Sequence, residues 1–273
     1  MDDFVPADAV GHRIVHLGKL HLEAAEIDDL ILRSVEEGAE IAPLHNRPAL
    51  EAIARAREAL PGVPHVAVSD SYFHGTMPRE AREYAIPVAW RDDDKIVRHG
   101  FHGLAVSWVS EQVRVPRLVV CHLGGGCSVT AVRDGRSTDT TMGWTPLEGV
   151  PMGTRSGSID PGALIHLVRR GWAADELDRV LNEESGLAAL GGLDDAFAFS
   201  HFTFHLAKAV AAMAVSLDGL DALAFSGGIG ENRADVRDAV AGRLRFLGAF
   251  RVEIVPARED VVIARAVRAL LDP

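Results

Sequence analysis

Three successive glycines, Gly124, Gly125 and Gly126, stand where an apolar strand ends and a second strand begins. Without Cβ atoms the chain can turn sharply there, and a ligand can come close to the backbone. Backbone N–H groups in such a turn can converge on phosphate oxygens. A polar run that contains several threonines and Arg155 follows. This pattern favours a phosphate-binding site, and its alternative is a tight β-turn followed by a polar loop.

A second glycine turn, in the segment 226–232, follows the apolar run 220–225 and leads into a predicted helix. The first turn of a helix presents free N–H groups and the positive end of the helix dipole to an anion. The segment has neither the Lys-Ser/Thr pair of a P-loop nor the spacing of a dinucleotide-binding turn. It is therefore either a second phosphate contact or a packed corner between a strand and a helix.

Five polar residues lie near the ends of predicted strands or at the starts of predicted helices. They are Arg13, His45, Asp70, His102 and Arg155. Phosphoryl transfer needs cations and hydrogen-bond donors around the moving group, and a carboxylate that positions it or its metal. The set supplies all of these, although a single histidine on an apolar face is more often a hydrogen-bonded core residue.

The elements that must position these residues alternate between strands and helices. Strands are predicted at 9–17, 65–68, 118–121, 128–132, 220–225 and 252–255, with a hairpin turn at Asp134-Gly135. Helices are predicted at 26–38, 48–60, 78–84, 103–112, 161–169, 174–181, 197–217, 233–247 and 260–271. This alternation predicts a layered α/β fold with a mixed sheet. Pro116 interrupts the chain before the central strand, so we place a domain boundary there.

Composition excludes several classes of protein. The chain has 273 residues, of which 48% are hydrophobic, so a sizeable core is expected and disorder is not. A net charge of −11 argues against nucleic acid or an anionic membrane as the main partner. The start of the chain resembles no signal peptide, and no apolar run is long enough to span a membrane. Cys121 and Cys127 could form a disulfide or be two reduced, partly buried thiols of a cytoplasmic protein, which is the interpretation we prefer.

Three segments carry a family resemblance: CHLGGGCSVTAV, DTTMGWTPLEGVPMGTRSGSIDP and FSGGIGEN. They resemble the signature segments of acetate kinase and related short-chain acylate kinases, which belong to the superfamily of sugar kinases, Hsp70 and actin. The resemblance extends from about Ala9 to near the C-terminus. It implies an α/β protein of two ribonuclease H-like domains with mixed sheets and a cleft between them. The expected domains are an incomplete one at 1–115 and a nucleotide-binding one at 116–273, whose last helix packs back on the first.

The resemblance also implies an activity, which is reversible transfer of the γ-phosphoryl group of ATP to acetate or another short-chain carboxylate with Mg²⁺. A homodimer in the cytoplasm is expected. The implied catalytic residues are Asp70, Arg155, His102 and His45, and the implied substrate contacts are Arg13, Phe101 and Pro146. The implied nucleotide contacts are His122, Gly124, Gly125, Gly126, Gly228, Ile229, Gly230 and Asn232. Glu259 would lie near the magnesium ion, although an acidic residue at the start of a helix is also favoured for its own sake.

The sequence departs from the family pattern in four places. A first strand with an asparagine, serines and a lysine has no counterpart, so we expect a sheet with exposed edges. Gly125 replaces an asparagine, the family's GFHGTSH is GFHGLAV, and no arginine follows Asp194 or Asp195. Each loss of a preorganised donor typically costs about 10²–10³ in rate. A second hypothesis is therefore a weak or inactive relative that binds nucleotide or acyl phosphate as a sensor or scaffold.

Overall fold

The computed structural model of the chain describes residues 7–18, 20, 22–40 and 42–272, apart from the side chains of residues 43 and 44. Its strands are β1 (Val10–Ile14), β2 (Ala24–Glu26), β3 (His65–Ser69), β4 (Arg117–Leu123), β5 (Cys127–Arg133), β6 (Arg136–Thr140), β7 (Ala222–Ser226) and β8 (Arg251–Ile254). Its helices are α1 (Asp29–Gly38), α2 (Pro43–Ala59), α3 (Arg79–Arg82), α4 (Val88–Asp92), α5 (Gly103–Val113), α6 (Pro161–Arg169), α7 (Ala174–Glu183), α8 (Gly186–Ala189), α9 (Ala196–Ser216), α10 (Gly227–Asn232), α11 (Ala234–Arg243) and α12 (Glu259–Leu271). Two 3₁₀ turns lie at Tyr72–Thr76 and Arg245–Leu247.

The first sheet has the order β1-β3-β2, with β1 parallel and β2 antiparallel to the central strand. Every residue of β3 is buried, because helices cover both faces of the strand. Its Val66 and Val68 side chains pack with Val267 of α12, whereas Ala67 packs with Ile53 of α2. Successive residues of a strand point to opposite faces, which explains this division. The last helix thus packs on the first sheet.

Strand β1 is an outer strand of this sheet among the residues that the structure describes. Its Val10 N–H donates to Pro64, and its Ile14 carbonyl accepts from Asp70 N–H. In a parallel ladder the intervening residues turn their backbone groups the other way. Gly11 and Arg13 therefore present backbone N–H and C=O groups to the open edge, in agreement with the expected exposed edges.

The second sheet has the order β6-β5-β4-β7-β8. Strand β4 lies at its centre, antiparallel to β5 and parallel to β7, and β8 extends the parallel part. The β5–β6 hairpin turns at Asp134 and Gly135, whose φ angles are 49° and 78°. Two positive φ values are typical of the two-residue turn that the sequence predicted. Because the carboxyl ends of β4 and β7 lie side by side, the two glycine turns that follow them are brought together.

Helices cover both faces of the second sheet. On one face Cys121, Leu123 and Val129 pack with Phe202 and Leu206 of α9 in the main hydrophobic cluster. On the other face Leu118 and Val120 pack with Val106 and Val109 of α5. Leu104 of the same helix α5 packs with Val66 and Val68 of the first sheet. Helix α5 therefore connects the two sheets, and the division at residue 116 stays a prediction.

Two helix starts differ from the predicted ones. Helix α2 begins at Pro43 and not at Pro48, which lies inside it. The missing N–H of a proline costs least in the first turn of a helix, and Pro43 occupies that position. The amide of Asn46 then fixes the first turn, because it donates to the carbonyls of His16 and Val35. Pro48 is tolerated inside a helix whose start is held in this way.

The predicted helix 26–38 is shorter in the structure, since residues 24–26 form strand β2 and Asp28 caps α1 by accepting from Ile31 N–H at 2.8 Å. Strand β6 and the short helices α4 and α8 were not predicted.

Cys121 and Cys127 are free, buried thiols. Most of the start of the chain, on which the prediction about a signal peptide rests, lies outside the described residues. Of the helices in the described ranges, none combines the length and apolar character needed to cross a membrane.

Candidate active site

Asp70 follows directly after β3 and is almost completely buried, at 1% exposure. Its carboxylate accepts hydrogen bonds from the backbone N–H groups of His102 at 3.0 Å and Leu104 at 3.3 Å. The same carboxylate accepts from the guanidinium of Arg13 at 2.7 Å. A buried carboxylate is stable only when charge and hydrogen bonds compensate its desolvation. Asp70 thus holds the start of α5 and the end of β1 in fixed relative positions.

Arg13 lies between two carboxylates, because its guanidinium is also 3.8 Å from Glu259 at the start of α12. The negative charge of Asp70 raises the pKa of Arg13 further above its ordinary value. Its side chain is 34% exposed, so part of the guanidinium remains open to an anion. Burial raises the pKa of Glu259, an effect that the Arg13 charge opposes.

His102 begins α5 with a left-handed backbone conformation, φ 61° and ψ 23°. Its Nδ1 atom lies 3.0 Å from the hydroxyl of Ser128 on β5, and its ring centroid lies 4.6 Å from that of His122 on β4. Burial, followed by the neighbouring His122, holds the pKa of His102 well below its usual range. The pKa of His122 is lowered to about 4, again mainly by burial. Both rings are therefore neutral near pH 7.

Arg155 is buried and contacts a histidine from the other half of the chain. Its Nη2 atom lies 3.2 Å from Nε2 of His45, and its Nη1 atom donates to the carbonyl of Pro146 at 3.2 Å. Burial lowers the pKa of Arg155, but a guanidinium keeps its charge at any ordinary pH. Burial and the charge of Arg155 lower the pKa of His45 to about 4. A permanent cation and a neutral imidazole thus lie side by side.

The first glycine turn passes between the side chains of His102 and Arg155. A Cβ atom on Gly126 would lie 3.2 Å from Nε2 of His102 and 3.3 Å from Nη1 of Arg155, so a larger residue would require one of these groups to shift. Gly125 is different, because a Cβ atom there would have no neighbour within 4 Å among the described residues. The turn is closed by the Gly124 N–H, which donates to the Gly126 carbonyl at 2.9 Å.

The second glycine turn lies against the first. A Cβ atom on Gly124 would be 4.0 Å from the backbone nitrogen of Gly228, so the two turns are in contact. The glycines form the first turn of α10 itself rather than a separate turn before it. Asn232 donates to the Gly228 carbonyl at 2.9 Å, and Ile229 packs against the core. The two glycine turns therefore lie next to each other, with Gly125 and Gly228 exposed and Gly230 buried.

Substrate-sized space adjoins His45 and Arg155. A cavity of about 330 Å³ is lined by both residues and by the apolar groups of Trp144, Pro146 and Leu147. Phe101 is instead almost fully buried in the core, with its carbonyl hydrogen-bonded to His74. The resemblance implied that Phe101 and Pro146 both contact the acyl group. Of these two residues, Pro146 lines the cavity.

Three residues that hold the site were not selected from the sequence. Ser128 contacts His102, and Glu231 accepts two backbone N–H groups near the second glycine turn. Arg98 donates to the carbonyls of residues 140–142 and pairs with Glu148 at 2.8 Å, which anchors the loop that carries Pro146. Ser128 and Glu231 lie within or next to segments already identified as a motif, so their positions beside glycines were the available signal. Arg98 had no such signal.

Hydrogen bonds join Arg13 through Asp70 to His102 and Arg155 to His45, and Gly126 lies between His102 and Arg155. Donors and cations that converge beside glycine turns at the ends of parallel strands, on two mixed α/β sheets, define a phosphotransferase of the two-domain actin-like fold. The family model described as the Acetokinase family matches residues 3–264, and the chain belongs to that family. It is a kinase with acetate or another short-chain carboxylate as acceptor.

Similar proteins agree with this assignment. The chain is 43% identical to an acetate kinase of Synechococcus sp. (strain JA-2-3B'a(2-13)), with 96% of this chain and 76% of the relative covered. That match spans 308 aligned positions, which exceeds the 273 residues of the chain. The relative therefore has segments inside the aligned span that this chain does not have, and about 24% of the relative lies outside that span.

Solved structures show the same fold. A propionate kinase from Francisella tularensis superposes with a TM-score of 0.88 at 35% identity, covering 95% of this chain and 78% of that one. An acetate kinase from Entamoeba histolytica also gives a TM-score of 0.88, at 28% identity, with 98% and 82% covered. The family and the fold implied by the three sequence segments are thus confirmed.

Proposed function

We propose that the site around Gly126 transfers the γ-phosphoryl group of ATP reversibly to acetate or another short-chain carboxylate. The observation that carries the proposal is the set of contacts from Arg13 to His45. In the forward direction a carboxylate oxygen forms a bond to phosphorus while the bond to the ADP oxygen breaks. The nucleophile is already ionised, so no proton has to be removed, and catalysis consists of positioning and charge stabilisation.

Arg155 is proposed to neutralise the charge that spreads over the phosphoryl oxygens in the transition state. His45 and His102, both neutral, are proposed to donate N–H groups to the same oxygens. Preorganised donors of this kind act strongly in a site from which water is excluded, and all three side chains are largely buried. Neutral histidines fit this role, because they donate without adding charge that would hold the product.

Arg13 is proposed to bind the carboxylate of the substrate or the phosphate, with Asp70 holding it in place. Asp70 already accepts three hydrogen bonds, so we assign it the alignment of Arg13 and of α5 rather than proton transfer. Phe101 and Pro146 are proposed to enclose the acyl group, and Pro146 lines the cavity beside Arg155.

His122 and the two glycine turns are proposed to bind the phosphates of ATP or ADP, with the residues Gly124, Gly125, Gly126, Gly228, Ile229, Gly230 and Asn232. The support is the contact between the turns and the absence of any side chain around Gly125 and Gly228 within 4 Å of an added Cβ. A phosphate chain could therefore lie directly on the backbone.

Glu259 is proposed to lie near a Mg²⁺ ion. Its carboxylate is partly buried, has a raised pKa and lies 3.8 Å from the Arg13 guanidinium. Mg²⁺ in proteins is usually bound by one or two such carboxylates. Within the described residues no group of three or more His, Cys, Asp or Glu side chains could hold a metal. When bound, the ion would neutralise the nucleotide phosphates.

The assembly and compartment are proposed from the resemblance to be a homodimer in the cytoplasm. Helix α9 supports a second copy as partner, since its exposed side carries Phe197, Phe204 and Val215 at 65%, 47% and 77% exposure. Apolar residues repeated along one exposed helix face are typical of an interaction surface. Light scattering at micromolar concentration measures the mass, and a monomer would contradict this part of the proposal.

An alternative is a relative that binds nucleotide or acyl phosphate without appreciable turnover. Gly125 favours it, because the position offers no side-chain donor where the family has an asparagine. Hydroxamate trapping of acyl phosphate made from ATP with acetate, propionate or butyrate distinguishes the two. Product formation supports the kinase; calorimetric binding of ADP with Mg²⁺ but no product from any of the three acids would support the alternative.

A further inference from the structure

One oxygen of the Glu231 side chain connects two turns of the backbone. Oε1 accepts from the Gly227 N–H at 2.9 Å and from the Ala257 N–H at 3.0 Å. Gly227 is the first residue of α10, and Ala257 lies in the segment between β8 and α12. The two N–H groups belong to different elements, so the carboxylate fixes the distance between them.

These two turns follow neighbouring parallel strands. Strands β7 and β8 pair in register from Ala222 with Arg251 to Phe225 with Ile254, and a last backbone hydrogen bond runs from the Val255 N–H to the Phe225 carbonyl at 2.9 Å. Among the described residues no backbone hydrogen bond joins the two segments beyond that point. Past the end of the backbone pairing, the Glu231 carboxylate joins the two segments by accepting one charge-assisted hydrogen bond from each, from Gly227 and from Ala257.

Each turn bears part of the proposed site. Gly228 is the residue after Gly227, and Gly230 is two residues further on. Glu259 is two residues after Ala257. Arg237 holds the other end of α10 by donating to the carbonyls of Gly230 at 2.8 Å and Glu231 at 3.0 Å. The glycine turn is thus restrained at both ends, and the Glu231 contact joins it to the segment that carries Glu259.

We propose that Glu231 is a positioning residue that sets the spacing between the phosphate-binding turn 227–230 and Glu259. This rests on the proposed function, in which the turn binds nucleotide phosphates and Glu259 lies near the metal. Glu231 acts through its acceptor oxygen on the backbone, and its negative charge is secondary. An amide oxygen accepts the same two hydrogen bonds, whereas a methyl group accepts none.

The test compares Glu231→Gln with Glu231→Ala, and uses Asp238→Ala as a matched control on the exposed side of α11. We expect Glu231→Ala to raise KM for ATP·Mg²⁺ at least tenfold while kcat falls less than threefold. It should also raise the Mg²⁺ concentration needed for half-maximal rate. Glu231→Gln and the control should stay within threefold of the parent in all three quantities. Loss of activity in Glu231→Gln equal to that in Glu231→Ala would overturn the proposal, because the charge itself would then be required.

Hydrogen exchange without nucleotide supplies a second readout. Peptides that cover residues 227–232 and 255–260 should both exchange at least tenfold faster in Glu231→Ala and remain protected in Glu231→Gln. Unchanged exchange in Glu231→Ala would contradict the proposal even if KM rose. If Glu231→Ala does not fold, Glu231→Asp replaces it, since the shorter side chain cannot reach both N–H groups. If the parent makes no acyl phosphate, the proposed function fails, while the exchange comparison still decides the role of Glu231.

Discussion

Arg155 and His45 lie 110 positions apart in the chain, yet Nη2 of the arginine is 3.2 Å from Nε2 of the histidine. An arginine can only donate, so Nε2 of His45 must accept and the ring proton must be on Nδ1. The pKa of His45, lowered to about 4 by burial and by Arg155, agrees with a neutral ring. The charge of this part of the site is therefore carried by Arg155, and the neutral His45 ring can donate only from Nδ1.

Replacing Arg155 should abolish most of the activity. Arg155→Ala should lower kcat by about 10²–10³ or more, because a preorganised group at the transferring phosphoryl is lost. Arg155→Lys should restore little, since an ammonium cannot contact His45 and the Pro146 carbonyl in the same planar geometry. Acyl hydroxamate formation measures the rates, and Arg169→Ala, an exposed change on α6, is the control. Full activity of Arg155→Lys would show that only a charge is needed.

Ser128 and Ser137 offer a matched pair of serines. Ser128 contacts Nδ1 of His102 at 3.0 Å, and Ser137 contacts Nδ1 of the buried His74 at 2.9 Å. Ser128→Ala should lower kcat about tenfold or more, because the hydroxyl fixes which nitrogen of His102 carries the proton. Ser137→Ala should reduce stability by about 1–3 kcal/mol through an unpaired buried nitrogen, with kcat unchanged. Urea unfolding and hydroxamate rates on both variants check this, and equal effects on kcat would contradict the assignment.

Buried histidines should make the protein less stable as the pH falls. The pKa values of five histidines are lowered from 6.5 to about 4, chiefly by burial: His12, His16, His45, His74 and His122. Below pH 6.5 the unfolded chain takes up protons that the folded chain does not, so the free energy of unfolding falls with falling pH. His16 and His74 are fully buried, and each should lower the free energy of unfolding by up to about 1.4 kcal/mol per pH unit as the pH falls from 6.5 to 4.

Urea unfolding at pH 7, 6 and 5 measures this dependence. The midpoint should change little above pH 7 and fall progressively below pH 6.5. His74→Gln should be less stable at pH 7, because His74 bonds to Ser137 and to the Phe101 carbonyl, but its midpoint should fall less steeply with pH. A midpoint that is constant from pH 7 to 5 would show that these histidines titrate normally in the folded protein.

The parts of the fold with strong local signals were predicted correctly. Asp134-Gly135 specified the β5–β6 turn because two positive φ angles are needed there. The apolar run before Gly124 specified β4. In the candidate site, the sequence identified Arg13, Asp70 and Arg155 because phosphoryl transfer needs their charges. Their convergence could not be derived from spacing, since it depends on how the two sheets pack through α5.

The errors arose where tertiary contacts outweigh local signals. Pro48 is a good helix start by itself, but buried hydrogen bonds of Asn46 hold the helix from Pro43. Residues 24–26 form a strand because β3 offers an edge, and nothing local in Ala24, Ala25 and Glu26 favours one. Ser128 and Glu231 have ordinary side chains whose importance comes only from the groups across from them.

The two adjacent glycines Gly125 and Gly126 allow the final prediction. A Cβ atom on Gly126 would meet His102 and Arg155 at 3.2 and 3.3 Å, while one on Gly125 would meet nothing within 4 Å, and neither residue has a positive φ. Gly126→Ala should therefore lower kcat/KM at least tenfold by displacing these two groups. Gly125→Ala, the comparison variant, should lower it less, because an added methyl group there meets no described residue within 4 Å.

Gly125→Asn should raise the rate, because it adds a hydrogen-bond donor beside the proposed phosphates, with about 10²–10³ as the upper limit for one donor. The parent chain should accordingly be a slow kinase in the hydroxamate assay with acetate and ATP. The open space around Gly125 means that the asparagine should not reduce stability, which urea unfolding checks. A Gly125→Asn variant that folds normally and is no faster than the parent would show that the missing donor does not limit turnover. Equal rates for Gly126→Ala and Gly125→Ala would show that close packing of the turn against His102 and Arg155 is not needed for catalysis.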